Sequence, residues 1–189
     1  MSLSLKPIAR ANNTGLNVTM ALSATPMLTT VEAKALAKID FSDHDTFVDA
    51  LVTAATLWVQ KKINRALINQ TVIAEWDSVD EWVPLPYAPI VSITSIKTID
   101  NEATETVLVA NTGYFLRNNK IKVATHLGLR ATYVAGYGAA STNVPGPIKE
   151  AIGRIVINLY DRRDDEMESI DKVAFNSMAL LDPYINESI

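Results

Sequence analysis

The side chains best suited to catalysis or metal binding are few and scattered. Only two histidines occur, His44 and His126, and neither has a second ligand nearby at metal-binding spacing. No serine lies in the Gly-x-Ser-x-Gly context of a hydrolase nucleophile. The segment Gly136-Tyr137-Gly138 is not followed by Gly-Lys-Ser or Gly-Lys-Thr, so it lacks the pattern of a phosphate-binding loop and is predicted to be a turn. The sequence therefore predicts no enzyme, no cofactor and no metal centre.

The acidic stretch from Asp161 to Glu168 is the strongest candidate for a chemical role, because neighbouring carboxylates can bind divalent cations or shift one another's pKa. The interleaved arginines favour a solvated or subunit-facing surface at a helix end. We therefore predict an interface here, extended by the apolar tail. The candidate interface residues are Arg162, Arg163, Asp164, Asp165, Leu181, Pro183 and Tyr184.

The composition is that of a folded protein held together by packing. Of 189 residues, 48% are apolar and 20% are charged, which excludes a disordered tail and fits one domain. There is no cysteine, so neither disulfides nor thiolate metal sites are available, and a reducing cytoplasm would suit the chain. Lys and Arg number 17 against 21 Asp and Glu, and the net charge of −4 predicts no general surface for phosphate backbones.

The sequence shows no targeting signal. The first ten residues lack the apolar run of a signal peptide, and nowhere do about 18 apolar residues follow one another. We expect a protein made in the cytoplasm, with no membrane partner.

The periodicity of the chain predicts an α+β fold, in which a helical scaffold of two long helices plus short helices carries an inserted antiparallel β subdomain. An extended N-terminal arm is predicted at 1–28, a central domain at 29–169 and a C-terminal tail, partly helical, at 170–189. Within the central domain, helices are predicted at 30–38, 44–68 and 147–165, and the β subdomain at 70–135.

Start signals and apolar spacing support the three helices. Thr29 and Glu32 form a capping-box pattern, acidic groups follow Ser42 at the positive end of the next helix, and Pro147 lies near the start of the last. Apolar residues at steps of three and four predict the buried faces. These are Val48, Val52, Ala55, Val59, Ile63 and Ala66, broadened by Phe47, Leu51, Trp58 and Leu67, and Ile148, Ala151, Ile152, Ile155, Val156, Leu159 and Tyr160.

The β subdomain is predicted from runs of β-forming residues. Gln70–Trp76, Ile90–Ile99 and Leu129–Val134 are such runs. Asn118-Asn119 tolerates the positive φ of a two-residue hairpin turn, between Gly113–Arg117 and Lys120–Thr125. We predict Trp58 to be a core residue, whereas Trp76 and Trp82 fit either the core or an exposed anchor.

The arm at 1–28 has two readings. It carries only Lys6 and Arg10 as charges and shows no sustained periodicity, which is typical of a mobile terminus. The alternative is an extended segment that packs on a neighbouring subunit.

Three groups of residues occur in an order that one protein family shares. The first is Thr30-Val31-Glu32-Ala33-Lys34-Ala35-Leu36-Ala37-Lys38-Ile39-Asp40, then Asp43–Asp45 and Leu51-Val52-x-Ala54-Ala55. The second is Asn64-Arg65-Ala66-Leu67 before Gln70-Thr71, then Val83-Pro84-Leu85-Pro86-Tyr87-Ala88-Pro89-Ile90 before Val91-Ser92-x-x-x-Ile96. The third is Tyr133-Val134-Ala135-Gly136-Tyr137-Gly138, then Val144-Pro145, Ile148-Lys149-x-Ala151-Ile152 and Tyr160-x-Arg162. Together, over residues 29 to 165, they resemble the head-to-tail connector proteins (adaptor or head-completion proteins) of tailed bacteriophages.

The sequence departs from this family at two places. Ala37-Lys38 stands where the first helix often has a Leu-Arg pair, and the arm at 1–28 is longer than the family's pattern. Both departures bear on the details of the interfaces.

The resemblance implies a non-enzymatic virion protein at the head–tail junction. It implies a ring, typically of twelve copies, below the portal protein and above a stopper or tail-completion protein. Genome DNA would pass through the channel without specific binding. The helices from Asp45 to Leu67 and from Pro147 to Arg163 would form the scaffold, residues from Ile170 onward would dock on the portal, and the β subdomain would face outward or tailward.

Two other functions fit the sequence. A stopper or tail-completion protein would share the small mixed fold but meet the tail. A small bacterial enzyme or ligand-binding domain would use the acidic cluster and would need a concave pocket.

Overall fold

The computed structural model describes residues 3–5, 15–80, 82–124, 127–162 and 177–186, the first of these by backbone alone. The chain forms two compact units. Unit 1 comprises Met1–Ser23, Asn64–Tyr137 and Asn186–Ile189, and unit 2 comprises Ala24–Ile63 and Gly138–Ile185. Unit 1 carries the strands and unit 2 the helices, which confirms the predicted α+β class.

Unit 1 is built on antiparallel β-structure. Its strands are β1 (Leu3–Leu5), β2 (Asn17–Met20), β3 (Gln70–Trp76), β4 (Trp82–Pro84), β5 (Ile90–Ile99), β6 (Glu105–Leu108), β7 (Tyr114–Arg117), β8 (Lys120–Val123) and β9 (Gly128–Ala135). They form a six-stranded sheet in the order β1-β2-β3-β9-β5-β6 and a three-stranded sheet in the order β4-β8-β7.

Strand β9 is central in the larger sheet. It pairs with β3 from Gln70↔Ala135 to Trp76↔Leu129 and with β5 on its other side, where two irregularities bend the register. Alternate β9 residues point into the core, which is the period of a strand with one buried face. The Tyr133 hydroxyl is satisfied there by donating to the Pro86 carbonyl oxygen at 2.7 Å, and burial raises the pKa of Tyr133 well above its usual range.

The smaller sheet confirms the predicted hairpin. Asn118 and Asn119 have φ values of 49° and 59°, as a two-residue turn between right-twisted strands requires. On β8, Ile121 and Val123 are buried while Lys120 is exposed, so one face of this sheet joins the core of unit 1.

Three strands of the larger sheet, β1, β2 and β6, escaped the sequence analysis. β2 lies within the predicted arm and pairs with β3 of the same chain, with Val18 and Met20 in the core. This part of the arm therefore packs on its own subunit. β6 is a four-residue edge strand that follows a turn around Ala103, and only Leu108 of its side chains is partly buried, so its alternation carries little signal.

Unit 2 contains four α-helices, among its described residues. They are α1 (Thr30–Ala37), α2 (Asp45–Ile63), α3 (Gly146–Asp161) and α4 (Met178–Leu181), with 3-10 turns at Ser141–Asn143 and Asp182–Tyr184. The capping box is present, because the Thr29 side chain accepts from the Glu32 amide and Glu32 accepts from the Thr29 amide. Helix α3 packs against α1, α2 and α4 and buries the predicted apolar face, of which Leu159 is half-buried.

Helix α2 is shorter than predicted, ending at Ile63 instead of at residue 68. Asn64 adopts φ 51°, a left-handed conformation that ends a helix, and its side-chain oxygen accepts from the amide of Tyr87 at 3.2 Å. Ala66 and Leu67 are buried as expected, but outside the helix, where the Ala66 amide donates to the Tyr87 carbonyl oxygen at 3.2 Å. A tertiary contact overrides the continuing helical spacing.

The three tryptophans differ in burial. Trp76 is 2% exposed and lies in the core of unit 1, whereas Trp82 is 41% exposed. Trp58, predicted to be a core residue, is only half-buried. The ammonium of Lys62, one helical turn further along α2, lies 5.9 Å from its ring centroid, so a surface cation–π contact replaces part of the expected packing.

Gly136 should be indispensable to the fold. Its φ is 146°, and a Cβ at this position would lie 2.5 Å from the Asn69 backbone nitrogen. Gly136→Ala should lower the free energy of unfolding by about 1–3 kcal/mol or more, because strain and a backbone clash add. Gly146→Ala is the control: a Cβ there meets nothing within 4 Å, and a neutral to slightly stabilising change is expected. Urea unfolding followed by circular dichroism measures both, and equal effects would contradict the assignment.

Candidate assembly interfaces

The predicted interface residues at the end of α3 are only partly described. Arg162 is exposed and forms the C-terminal cap of α3, its amide donating to the Asn158 carbonyl oxygen at 3.1 Å. Arg163, Asp164 and Asp165 lie outside the described residues.

The described tail residues divide into a buried anchor and an exposed end. Leu181, on α4, is 0% exposed and packs within unit 2, so its side chain belongs to the chain's own core. Pro183 is exposed and Tyr184 is half-buried. Of the three tail residues in the predicted interface, Pro183 is thus the one whose side chain is most available to a partner.

An aromatic cluster on unit 2 was not predicted as a unit. The Nδ1 atom of His44 lies 2.7 Å from the Tyr160 hydroxyl. Phe41 and Phe47 place their ring centroids 5.0 Å and 6.5 Å from the His44 ring, and they are 51% and 41% exposed. The spacing of these three aromatic side chains, every third residue from 41 to 47, was the available signal, but nothing local indicates that Tyr160 completes the cluster.

Of the two histidines, only His44 is described, and its contacts are not those of a metal site. His44 contacts aromatic rings, and His126 lies outside the described residues. The described part of the chain contains no group of three His, Cys, Asp or Glu side chains able to hold an ion. Its helices also include none with the length and apolar character needed to cross a membrane.

Electrostatic contacts join α1 to the other helices of unit 2. Glu32 accepts from the Thr29 amide at 2.8 Å and from the Lys149 ammonium of α3 at 2.9 Å. These hydrogen bonds, first that of the Thr29 amide, lower the pKa of Glu32 to about 2. Lys34 pairs with Asp45 at 2.6 Å, which links α1 to the first turn of α2.

Comparison with known proteins identifies the family. Residues 26–178 match the family described as head completion protein. This chain belongs to that family. The match covers most of the chain and includes α1, α2 and α3, so the resemblance to head-to-tail connectors seen in the sequence is confirmed.

Solved structures share the fold. A chain in the neck of an empty gene transfer agent particle, computed with C6 symmetry, superposes with a TM-score of 0.71 at 19% identity, covering 92% of this chain and 96% of that one. A chain in the virion of a native gene transfer agent particle gives 0.69 at 18% identity, with coverages of 93% and 97%. A chain in the neck of a native particle, computed with C12 symmetry, gives 0.64 at 20% identity, with coverages of 90% and 96%. No curated protein matches the sequence.

The Glu32 contacts of this head completion protein make a pH-dependent contribution to stability. Because folding lowers the pKa of Glu32 from 4.5 to about 2, the contribution is complete above pH 4.5 and is lost as the pH falls towards 2. Glu32→Gln should therefore reduce the urea midpoint at pH 6, and the gap to the unaltered protein should narrow progressively below pH 4.5. Glu150→Gln is the control, since over the described residues this exposed carboxylate pairs within α3, with Arg154. A gap that stays constant down to pH 2.5 would contradict the role of the charge.

Proposed function

We propose that this head completion protein is a non-enzymatic virion subunit that forms a ring at the head–tail junction, between the portal and the tail. The family match over residues 26–178 carries this proposal. The fold adds support, since similar chains occur in particle necks computed with C6 and C12 symmetry, which favours a ring of twelve copies. Such a ring needs a heterologous interface, in which two different surfaces of each subunit meet.

In this proposal the chain has the regions expected from its sequence. Residues 1–28 form an arm, 29–169 a connector domain and 170–189 a tail that docks on the portal. The opposite side of the ring meets the stopper or tail-completion protein, and the genome passes through the channel. The exposed Arg162 and Pro183 are the described candidates for contacts with partners, while the buried Leu181 anchors the tail to α3.

Light scattering coupled to size exclusion tests the ring and its partner directly. The purified protein is measured alone and after mixing with a portal ring. A ring, or a monomer that joins the portal in stoichiometric numbers, is expected. A monomer indifferent to the portal that instead joins tail-side particles would make the protein a stopper or tail-completion component.

Point substitutions test the tail more cleanly than truncation does, because removing residues from 170 onward would also take Leu181 out of the core. Pro183→Asp should weaken portal binding by about tenfold or more, as a charge buried in an interface costs over 1.4 kcal/mol, with an unchanged melting temperature. Leu181→Ala should lower the free energy of unfolding by about 2–5 kcal/mol.

The matched control is Ala139→Asp, which adds the same charge at an exposed bend of unit 2. It should leave both portal binding and stability unchanged. Equal portal binding by the Pro183→Asp and Ala139→Asp variants would contradict the role of the tail in portal binding. The ring is tested separately, by the mass measured in light scattering.

A further inference from the structure

The outer face of the β4-β8-β7 sheet carries a basic and aromatic surface. Antiparallel partners share a face, so the register places Trp82, Lys122 and Phe115 in one cross-strand row. Pro84, Lys120 and Arg117 form the next row, about 7 Å along the strands. We call these six residues the basic sheet face.

The opposite face of the same sheet belongs to the core. Val83 and Ile121 are 0% exposed and Val123 is 2% exposed, which fixes the orientation of β4 and β8. The register with β8 then places Phe115 and Arg117 of β7 on the other face. On the basic sheet face, by contrast, Trp82 is 41% and Phe115 is 49% exposed, and Arg117 and Lys120 are also exposed. The cations and rings therefore face away from the packed interior of unit 1.

The charges on this face are of one sign. The three strands and the turn at Asn118-Asn119 contain three cations and no Asp or Glu, in a chain whose net charge is −4. Two other cations of unit 1 have acidic partners: Lys97 pairs with Glu105 at 2.8 Å, and Arg130 pairs with both Glu75 and Glu105. Over the described residues, neither Arg117 nor Lys120 forms an ion pair.

This arrangement is unfavourable for the isolated subunit. Arg117 and Lys120 are directly opposite each other in the β7–β8 register, and like charges in this position destabilise a strand pair. Lys122 is positioned by Trp82, whose ring centroid lies 5.8 Å from its ammonium. A bound polyanion would relieve this repulsion and would neutralise Arg117 and Lys120, which form no ion pair over the described residues.

We propose that the basic sheet face binds the phosphodiester backbone of DNA without reading its sequence. Arg117, Lys120 and Lys122 contact phosphate oxygens, and the exposed rings of Trp82 and Phe115 pack against sugars or unstacked bases. Three cations give weak binding per subunit, so a ring would gain most of its affinity by repetition. A single subunit contains the whole site. That the site contacts genome DNA as it passes through the channel rests on the proposed function.

Fluorescence anisotropy with the full-length protein tests the site, using a labelled DNA duplex and a single strand of equal length. Lys120→Gln combined with Lys122→Gln should weaken binding of the duplex by about tenfold at about 50 mM salt. It should also reduce the slope of log K against log salt by about 2, the slope expected of two lost phosphate contacts. The melting temperature should be unchanged or slightly raised, because a like-charge pair is removed.

The matched control is Lys61→Gln combined with Lys62→Gln on α2. This pair also has one ammonium over a tryptophan ring, at 5.9 Å, so both double variants remove two charges and one cation–π contact. Control variants that bind as well as the unaltered protein support the site.

Several results would overturn it. These are equal losses in the two double variants, no salt-dependent binding of either DNA, or competition by polyglutamate as effective as by DNA, which would assign the face to an acidic protein. Tighter binding of the single strand than of the duplex supports the site and assigns its rings to base stacking. The mass of each variant's assembly is measured in parallel, so loss of DNA binding with an intact ring would leave the proposed function standing.

Discussion

The pairing of β3 with β9 is the constraint on which the rest of the structure depends. It joins residues 70–76 to residues 129–135, so it closes the long segment Asn64–Tyr137 at its base. Closing a loop of this length costs conformational entropy, which the buried alternate residues of both strands must offset. Gly136 comes directly after β9 in the chain. Its amide donates to the Pro89 carbonyl oxygen, and a Cβ at this position would clash with the backbone of Asn69.

Unit 2 also brings together segments that are distant in the chain, and contacts between side chains hold them together. Its two halves are separated in sequence by the strands of unit 1, and its core forms only when α3 packs against α1 and α2. Two polar contacts then bridge these halves: Glu32 with Lys149, and His44 with Tyr160. The hydrophobic effect drives the packing of these helices, and the two polar contacts favour one arrangement of the packed helices over others.

A structural protein of a particle must distribute its exposed groups among partners without losing its core. Leu181 and Pro183 show the division over two residues of one tail, the first buried and the second exposed. The β4-β8-β7 sheet shows the same division between its two faces, because one is buried in the core and the other, the basic sheet face, is exposed. Net charge averages over such differences, so the acidic total of this chain says little about the potential that a DNA strand would meet at β7 and β8.

Local signals in the sequence determined the elements whose causes lie within a few residues. The Thr29–Glu32 capping box, the Asn118-Asn119 turn, the stripe of α3 and the strands β3, β5 and β9 could all be predicted, because each depends on a cap, a turn or a period. The order of the motifs along the sequence was sufficient to identify the family. Tertiary structure alone decided the end of α2 at Asn64, the pairing of β2, the burial of Leu181 and the partner of His44. In each of these, the deciding contact comes from residues distant in the chain, and the free energy of that contact exceeds the small local preference it overrides.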